Sequence, residues 1–130
     1  MRLFSKGSKL YSILFNKCPK CHTGNFWASN NPVRNMFFST KNTCKTCESC
    51  SLVYELETGF WYGSMYVSYA ISVAVMVLFW TLTNFFYPLI NVFNEILIIV
   101  TAILIVSPLN YHFSRLIWIN FFVKYIPNEK

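Results

Sequence analysis

The chain has 130 residues; 55% of them are hydrophobic, 12% are charged, and the net charge at pH 7 is +6. A soluble domain this short cannot bury so much apolar surface, because small chains have a high ratio of surface to volume. The composition therefore excludes an ordinary soluble domain and favours a small polar module attached to membrane-spanning helices. The positive charge does not require nucleic acid as a partner, since basic residues beside a span attract the anionic headgroups of the lipid bilayer.

Residues 1–16, MRLFSKGSKLYSILFN, mix apolar side chains with basic ones. The pattern predicts a basic amphipathic segment that lies on the lipid headgroups. It does not predict a signal peptide, because Lys6 and Lys9 interrupt the apolar positions and no small-residue cleavage site follows.

Residues 17–58 form a polar module that contains every cysteine of the chain. The cysteines fall into one CxxC pair and a later run of two overlapping pairs: Cys18 and Cys21, then Cys44, Cys47 and Cys50. Two CxxC pairs separated by roughly 20 residues are typical of a zinc ribbon, in which four thiolates bind one metal ion. The turn-rich sequence of the module predicts short strands and loops and no long helix.

Zinc is the predicted metal, because four soft thiolates in tetrahedral geometry select Zn²⁺, with iron as the main competitor. Metal binding supplies about 10–16 kcal/mol in small zinc-binding peptides, and a polar module without its own hydrophobic core needs such a contribution. Four protein ligands leave no position for a catalytic water, so the prediction is a structural site and not an enzyme. The alternatives are a disulfide framework, which needs an oxidising compartment, and a redox CxxC motif, which lacks a surrounding βαβ pattern here.

Spacing alone leaves the register of the second pair open, because Cys44–Cys47 and Cys47–Cys50 are both CxxC pairs. The residue after the second cysteine of a pair must tolerate a turn around the sulfur, and Ser51 suits that position better than Glu48. The predicted ligands of one zinc ion are Cys18, Cys21, Cys47 and Cys50. Cys44 is then spare, and His22, which follows the first pair, is predicted to be a bystander.

Two long stretches without charged residues follow the module, from Thr58 to Asn94 and from Ile96 to Ser114. Apolar runs of more than about 18 residues predict membrane-spanning helices. The predicted fold class is thus a membrane α-helical hairpin with a small N-terminal four-cysteine module and interfacial amphipathic segments. Residues 59–87 form an aromatic interface with transmembrane helix 1, and residues 88–95 form a short external connector. Residues 92–111 form transmembrane helix 2, which closes near Pro108, and residues 112–127 form an interfacial C-terminal helix.

The distribution of charge predicts the topology. Basic residues are frequent before the first span and occur again after the second, whereas the connector NFFYPLINVFNE has no Lys or Arg. By the positive-inside rule both termini lie in the cytoplasm. Ser64, Ser68 and Ser72 recur every four residues on the first span, a spacing that lets helices approach closely. This face packs either against the second span of the same chain or in a homodimer.

Four further polar residues are expected to meet at the cytoplasmic membrane surface: Glu55, Glu57, His112 and Arg115. Glu55 and Glu57 end the module, and His112 and Arg115 follow the second span. A helical hairpin therefore brings both sets to the same membrane surface. An ion pair between Glu57 and Arg115 would fix the module against the membrane. The same groups would also suit a headgroup, a peptide or a metal in transit.

Three blocks of the sequence resemble a bacterial group of small membrane proteins, the domain-of-unknown-function family 983: KGSKLYSILFNKCPKCHTGNFW, CESCSLVYELETGFWYGSMYVSYA and SRLIWINFFVKY. The resemblance implies a two-span protein of the bacterial cytoplasmic (inner) membrane with a cytoplasmic zinc ribbon and no assigned activity. It aligns Tyr54, Glu55, Glu57 and Gly59 with the family pattern only when Cys50 closes the metal site. It also places Ser51 where the family usually has glycine, which implies a slightly strained turn.

Some members of that family are encoded beside cytochrome oxidase assembly genes, which hints at biogenesis of respiratory complexes. The predicted function is therefore a non-enzymatic, membrane-anchored zinc-ribbon protein that acts as an interaction or assembly factor for another membrane protein or complex. The alternative is a metal-handling factor that passes zinc or another soft metal to a partner. An enzyme that acts on lipid at the surface of His112 and Arg115 is the third hypothesis.

Overall fold

The computed structural model describes residues 8–38 and 44–126, in which four helices form. In chain order these are α1 (Lys9–Leu14), α2 (Pro32–Phe37), α3 (Tyr62–Phe86) and α4 (Val92–Phe122). α3 and α4 pack against each other as an antiparallel hairpin, and α1 and α2 pack against α4. Residues 1–7 of the predicted amphipathic segment lie outside the described residues, and its remainder contains the single short helix α1.

α3 and α4 contain 25 and 31 residues and are long and apolar enough to cross a membrane. At 1.5 Å per residue they are about 37 and 46 Å long, compared with about 30 Å for the hydrocarbon core of a bilayer. At most 6% of the most apolar stretch of each helix is buried, unlike the core helix of a soluble protein. The predicted pair of long apolar helices is confirmed, and α3 ends two residues before Pro88 as its sequence predicts.

The predicted helix end near Pro108 is wrong, because α4 continues through this residue to Phe122. Proline has no N–H to donate and therefore leaves the carbonyl of Leu104 without its helical partner. The hydroxyl of Ser107 donates to that carbonyl at 2.8 Å and replaces the missing bond. Most of the predicted interfacial helix at 112–127 therefore continues α4 and does not form a separate element.

The serine-rich face of α3 packs against α4 within the chain. The side-chain amide of Asn110 donates to the carbonyl of Ser68 at 3.0 Å and to the hydroxyl of Ser72 at 2.9 Å. Ser64, one turn before Ser68, is buried. This intrachain contact is one of the two alternatives that the spacing left open, and the homodimer through the same serines stays a prediction.

Both ends of the hairpin are joined by hydrogen bonds between the helices or their caps. Near the connector, the carboxylate of Glu95 accepts from the hydroxyl of Thr83 at 3.1 Å and from the amide of Asn84 at 2.7 Å. At the other end the indole of Trp118 donates to the carbonyl of Phe60 at 2.9 Å. These contacts hold the start of α3 beside the last turns of α4, where the cysteine module sits.

The cysteine module contains a helix that its sequence did not predict. α2 begins at Pro32, whose ring suits the first helical position, and Asn31 caps it by accepting from the backbone N–H of Val33 and Arg34. Elsewhere in the described part of the module, β pairing is limited to two isolated bridges, at Lys17–Asn25 and Thr46–Val53. In place of the predicted short strands, the described part of the module has one isolated bridge beside each cysteine pair.

The expectation that the module lacks a hydrophobic core is also wrong. Phe26, Trp27 and Tyr54 are at most 1% exposed, and they form one cluster with Leu116 and Ile119 of α4, which are fully buried. The end of the second long helix therefore contributes Leu116 and Ile119 to the module's core. Burying such side chains contributes about 1.5–3 kcal/mol each, so the module is joined to the hairpin by hydrophobic packing as well as by the chain.

Candidate metal centre

Four cysteine sulfurs converge between the two halves of the module. The Sγ atoms of Cys18, Cys21, Cys47 and Cys50 all lie within 4.8 Å of one another. Two of the separations are 3.7 Å, from Cys18 to Cys50, and 3.6 Å, from Cys21 to Cys47. A tetrahedron of sulfurs about 2.3 Å from a zinc ion has edges of about 3.8 Å. The cluster therefore has the size of a tetrahedral metal site.

The same distances exclude a disulfide framework in this structure, since bonded sulfurs lie about 2.05 Å apart and all five cysteines are free. Cys44 is not a member of the cluster; it is partly buried and packs against the hydrophobic core beside it. The structure thus brings together the four predicted ligands and leaves the fifth cysteine outside.

Each CxxC pair is wrapped by the same kind of turn. The N–H of His22 donates to the carbonyl of Cys18 at 3.0 Å, and the N–H of Ser51 donates to the carbonyl of Cys47 at 2.9 Å. His22 and Ser51 both have φ of +55°, in the left-handed region that non-glycine residues rarely adopt. This turn carries the chain around the sulfur, which is the reason that the residue after the second cysteine had to be turn-tolerant.

Gly24 allows the two halves of the module to approach. A Cβ atom at this position would lie 2.5 Å from the Sγ of Cys47, closer than such atoms come in real structures. The carbonyl of Gly24 also accepts from the N–H of Cys18 at 2.8 Å, which closes the first turn. The sequence analysis did not single out Gly24; its position three residues after the first pair was the available signal.

The thiols of the cluster have perturbed acidities. Burial raises the pKa of Cys18 to about 12 and also raises that of Cys50. At Cys21 burial acts in the same direction, but hydrogen bonds from Thr23 and from the backbone N–H of Gly24 outweigh it and lower the pKa to about 6. A bound cation favours the deprotonated form of every thiol in such a cluster, so metal binding would release protons.

His22 is not one of the clustered ligands, as predicted for a bystander. Its ring packs between two tyrosines, with centroid distances of 5.7 Å to Tyr11 and 4.3 Å to Tyr125. The N–H of Ile126 donates to the carbonyl of Lys20 at 2.9 Å, inside the first cysteine pair. The segment after α4 therefore returns to the first pair and holds it against the helices.

The predicted ion pair between Glu57 and Arg115 is wrong. The guanidinium of Arg115 lies over three aromatic rings, at 4.8 Å from the centroid of Tyr111, 5.0 Å from Trp61 and 5.9 Å from Trp27. Glu55, Glu57 and Arg115 nevertheless line one cavity of about 1000 Å³ beside the module. Three of the four residues of the predicted polar cluster are thus brought together, around open space and not in an ion pair.

His112, the fourth residue, lies away from this cavity. Its Nδ1 is 3.0 Å from the side-chain nitrogen of Asn35 in α2, and its ring stacks on Trp27 at a centroid distance of 5.5 Å. Both His112 and Asn35 are buried, so the pair fastens α2 to α4. The only sequence signal for Asn35 was a polar residue inside the apolar stretch VRNMFF.

No family model matches this chain, and neither a curated protein nor a solved structure is significantly similar to it. The resemblance to family 983 stays a prediction, and the site is supported by its own geometry.

Proposed function

We propose that this protein is a non-enzymatic, membrane-anchored zinc protein that acts as an interaction or assembly factor for another membrane protein. The observation that carries the proposal is the four-cysteine cluster at the ends of two exposed apolar helices. The cluster and the helices share one hydrophobic core through Leu116 and Ile119. Such a joint holds a folded module at a fixed position relative to the membrane, which is what an interaction factor requires.

Zinc is favoured as the resident metal by the chemistry of the donor set. Four thiolates are soft ligands, and sulfur separations of 3.6 and 3.7 Å suit a tetrahedral ion. With four protein ligands the ion has a structural role and supplies no activated water. Metal analysis of the purified full chain is expected to give one zinc per chain; bound iron in its place, visible by its colour, would overturn the choice of metal.

A bilayer is favoured by the exposure of the two long helices. Exposed apolar patches beyond a few hundred Å² are rare on soluble monomers, and side chains such as Leu104, Ile105 and Phe93 are each about 70% exposed. We place the protein in the bacterial cytoplasmic membrane with both termini in the cytoplasm, because the connector lacks Lys and Arg. That orientation puts the cysteines in a reducing compartment.

An exposed aromatic stripe marks the candidate contact surface for a protein partner. Tyr62, Tyr66 and Tyr69 are 70%, 77% and 72% exposed and follow one another at helical spacing along the start of α3, beside the module. Tyrosine is enriched at protein interfaces because its large ring combines apolar contact with a hydrogen-bonding tip. The stripe lies at the level where a neighbouring membrane protein meets both the helix and the metal module.

Photo-crosslinking in native membranes tests this function. A benzophenone side chain at Tyr66 is expected to give a reproducible, discrete protein adduct, because this position faces the proposed partner. The matched control carries the same probe at Leu104, which is 67% exposed on α4. The adduct should also weaken when Cys47→Ser removes a metal ligand. Absence of an adduct at Tyr66, or equal adducts at both positions, would contradict the proposal.

A metal-handling role is the second candidate function, and one observation favours it. Cys50 is partly exposed whereas the other three clustered cysteines are buried, and the spare Cys44 packs nearby. An accessible ligand beside a spare thiol is a route for metal exchange. The zinc off-rate separates the two roles: a structural site resists a mild chelator, whereas a donor site loses zinc readily.

A further inference from the structure

An open space lies between the cysteine module and the start of α3. It consists of two adjoining cavities of about 1000 and 900 Å³ that share Glu55, Thr58, Trp61 and Arg115 as walls. The first is bounded by the module. The second continues along the first turns of α3 past Met65 as far as Ser68, with Tyr111 of α4 on its opposite side. The space therefore joins a charged compartment to the side of a helix that is long and apolar enough to span a membrane.

Arg115 supplies a cationic group with unused hydrogen-bond donors. The three aromatic rings around it contact its guanidinium by cation–π attraction. Among the residues that the structure describes, neither a carboxylate nor a carbonyl accepts a hydrogen bond from it. Its in-plane N–H groups are suited to bind two oxygens of a phosphate at once, which is the geometry in which arginine binds phosphate most strongly.

Negative charge faces this cation from another wall. Glu55 lines both cavities and is exposed, and Glu57 lines the first. Lys45 contributes a second cation at the wall formed by the module. A simple anion would be repelled by the carboxylates, whereas a ligand that carries a phosphate and an ammonium a few ångströms apart complements both signs.

We propose that this space binds the headgroup of a zwitterionic glycerophospholipid of the ethanolamine type. The phosphate lies against Arg115, the ammonium against Glu55, and an acyl chain follows α3 past Met65. The assignment rests on the membrane placement in the proposed function. The occupant is a lipid and not a soluble zwitterion because the second cavity runs along the span, where the surrounding medium is hydrocarbon. The volumes lie within the usual range of about 300–1000 Å³ for small-molecule sites.

Native mass spectrometry of the full, zinc-loaded chain in a mild detergent tests the site. The delipidated protein is titrated with phosphatidylethanolamine, phosphatidylglycerol and diacylglycerol, and separately with inorganic phosphate. We expect one phosphatidylethanolamine per chain, weaker binding of phosphatidylglycerol, and no retained diacylglycerol or inorganic phosphate. Hydrogen bonds to charged groups contribute enough that Arg115→Gln should weaken binding of both phospholipids at least about tenfold.

Two further variants separate this site from general attraction to lipid. Lys124→Gln removes one exposed positive charge after α4 and should leave binding unchanged, because Lys124 lines neither cavity. Glu55→Gln alters an exposed side chain and should weaken binding of phosphatidylethanolamine about threefold, whereas binding of phosphatidylglycerol should be strengthened because one repelling carboxylate is removed. Zinc content and helicity, measured on every variant, separate a lost lipid site from a failed fold and from failure of the proposed function.

The proposal is overturned if Lys124→Gln weakens binding as much as Arg115→Gln, or if diacylglycerol binds as well as the phospholipids. Inorganic phosphate that binds as tightly as lipid would identify a free-phosphate site instead. If Arg115→Gln does not fold, Arg115→Lys and Glu55→Gln decide: an unchanged preference for phosphatidylethanolamine in Glu55→Gln rejects the zwitterionic headgroup.

Discussion

The two cysteine pairs have the same local backbone but different surroundings. Both turns carry a residue at φ +55° after the second cysteine, His22 in the first pair and Ser51 in the second. The first turn is closed by a bond from Cys18 to Gly24 and is one residue longer than the second, which closes from Cys47 to Leu52. Both cysteines of the first pair are buried, whereas in the second pair Cys47 is buried and Cys50 is partly exposed.

The surroundings differ because the helices contact the first pair more extensively. The N–H of Lys17 donates to the carbonyl of Ser12 in α1, the N–H of Ile126 donates to the carbonyl of Lys20, and the ring of His22 packs on Tyr125. The second pair contacts the rest of the protein mainly through Tyr54, whose hydroxyl donates to the carbonyl of Asn25 at 3.0 Å, and through the sulfur cluster itself. The difference teaches that the first half of the site is held by the fold and the second half by the metal.

Removal of the metal should reveal the difference between the two cysteine pairs most strongly. We expect a strong chelator, added to the full chain in detergent, to lower amide hydrogen-exchange protection of residues 44–53 at least about a hundredfold, equivalent to about 2.8 kcal/mol. Residues 17–27 should keep most of their protection, because buried contacts with α1 and α4 persist. Amide hydrogen exchange of the two segments, measured by mass spectrometry after chelation and again after zinc is added back, checks both expectations.

Residues 72–82 of α3, which lie far from the site, are the internal control and should exchange equally with and without zinc. Equal loss of protection in both cysteine pairs would show that the metal organises the whole module. Greater loss in the first pair would reverse the comparison.

Cysteine substitution addresses the register of the second pair. Cys50→Ser removes one of the four clustered sulfurs and is expected to abolish stable zinc binding, because the ion then keeps only three of its thiolate ligands. Cys44→Ser, a matched substitution outside the cluster, should retain one zinc per chain. Metal content after gel filtration, together with protein level in membranes, distinguishes them. An empty site in Cys44→Ser and a filled one in Cys50→Ser would reverse the assignment.

The sequence was most informative where one local rule decides the outcome. Charge-free runs gave the two long helices, and the need for a turn after the second cysteine favoured Cys50 over Cys44. These features depend on a few neighbouring residues, so no tertiary contact overrides them. The C-terminal end of α3 also followed from a local signal, because Pro88 lies two residues beyond Phe86.

The sequence was least informative where distant residues decide. Pro108 is a helix breaker by local rules, but a hydroxyl one residue earlier replaces the lost hydrogen bond and α4 continues. The packing of Leu116 and Ile119 into the module, and the contact of Asn35 with His112, join segments far apart in the chain. No periodicity or motif encodes such contacts. The ion pair of Arg115 with Glu57 failed for the same reason, since aromatic rings from three segments surround the guanidinium.

A substitution at Gly24 tests how tightly the two halves meet. Gly24→Ala should displace the sulfur of Cys47 from the metal, because the new Cβ would lie 2.5 Å from it. Overpacking of this kind typically costs about 1–3 kcal/mol, so zinc affinity should fall about tenfold or more in competition with a chelator. Gly59→Ala is the matched control: it places alanine at φ +83°, outside the metal cluster, and should leave zinc affinity unchanged. Equal losses in both variants would mean that general destabilisation of the fold, and not contact with the sulfur, is responsible.

The smallest expected effect compares the two left-handed residues directly. Ser51 is exposed, so Ser51→Gly relieves a backbone strain of about 1–2 kcal/mol and loses little contact, offset in part by the greater chain entropy of glycine. The zinc-loaded protein should be stabilised by about 0.5–1 kcal/mol. His22→Gly relieves the same strain but removes a buried ring that packs on Tyr125 and should destabilise the protein. Thermal unfolding in detergent measures both, with Ser49→Gly as the control for a serine-to-glycine change in the same loop. Stabilisation by both Ser51→Gly and His22→Gly would show that packing around the first pair adds nothing, and the distinction between a pair held by the fold and a pair held by the metal would fail.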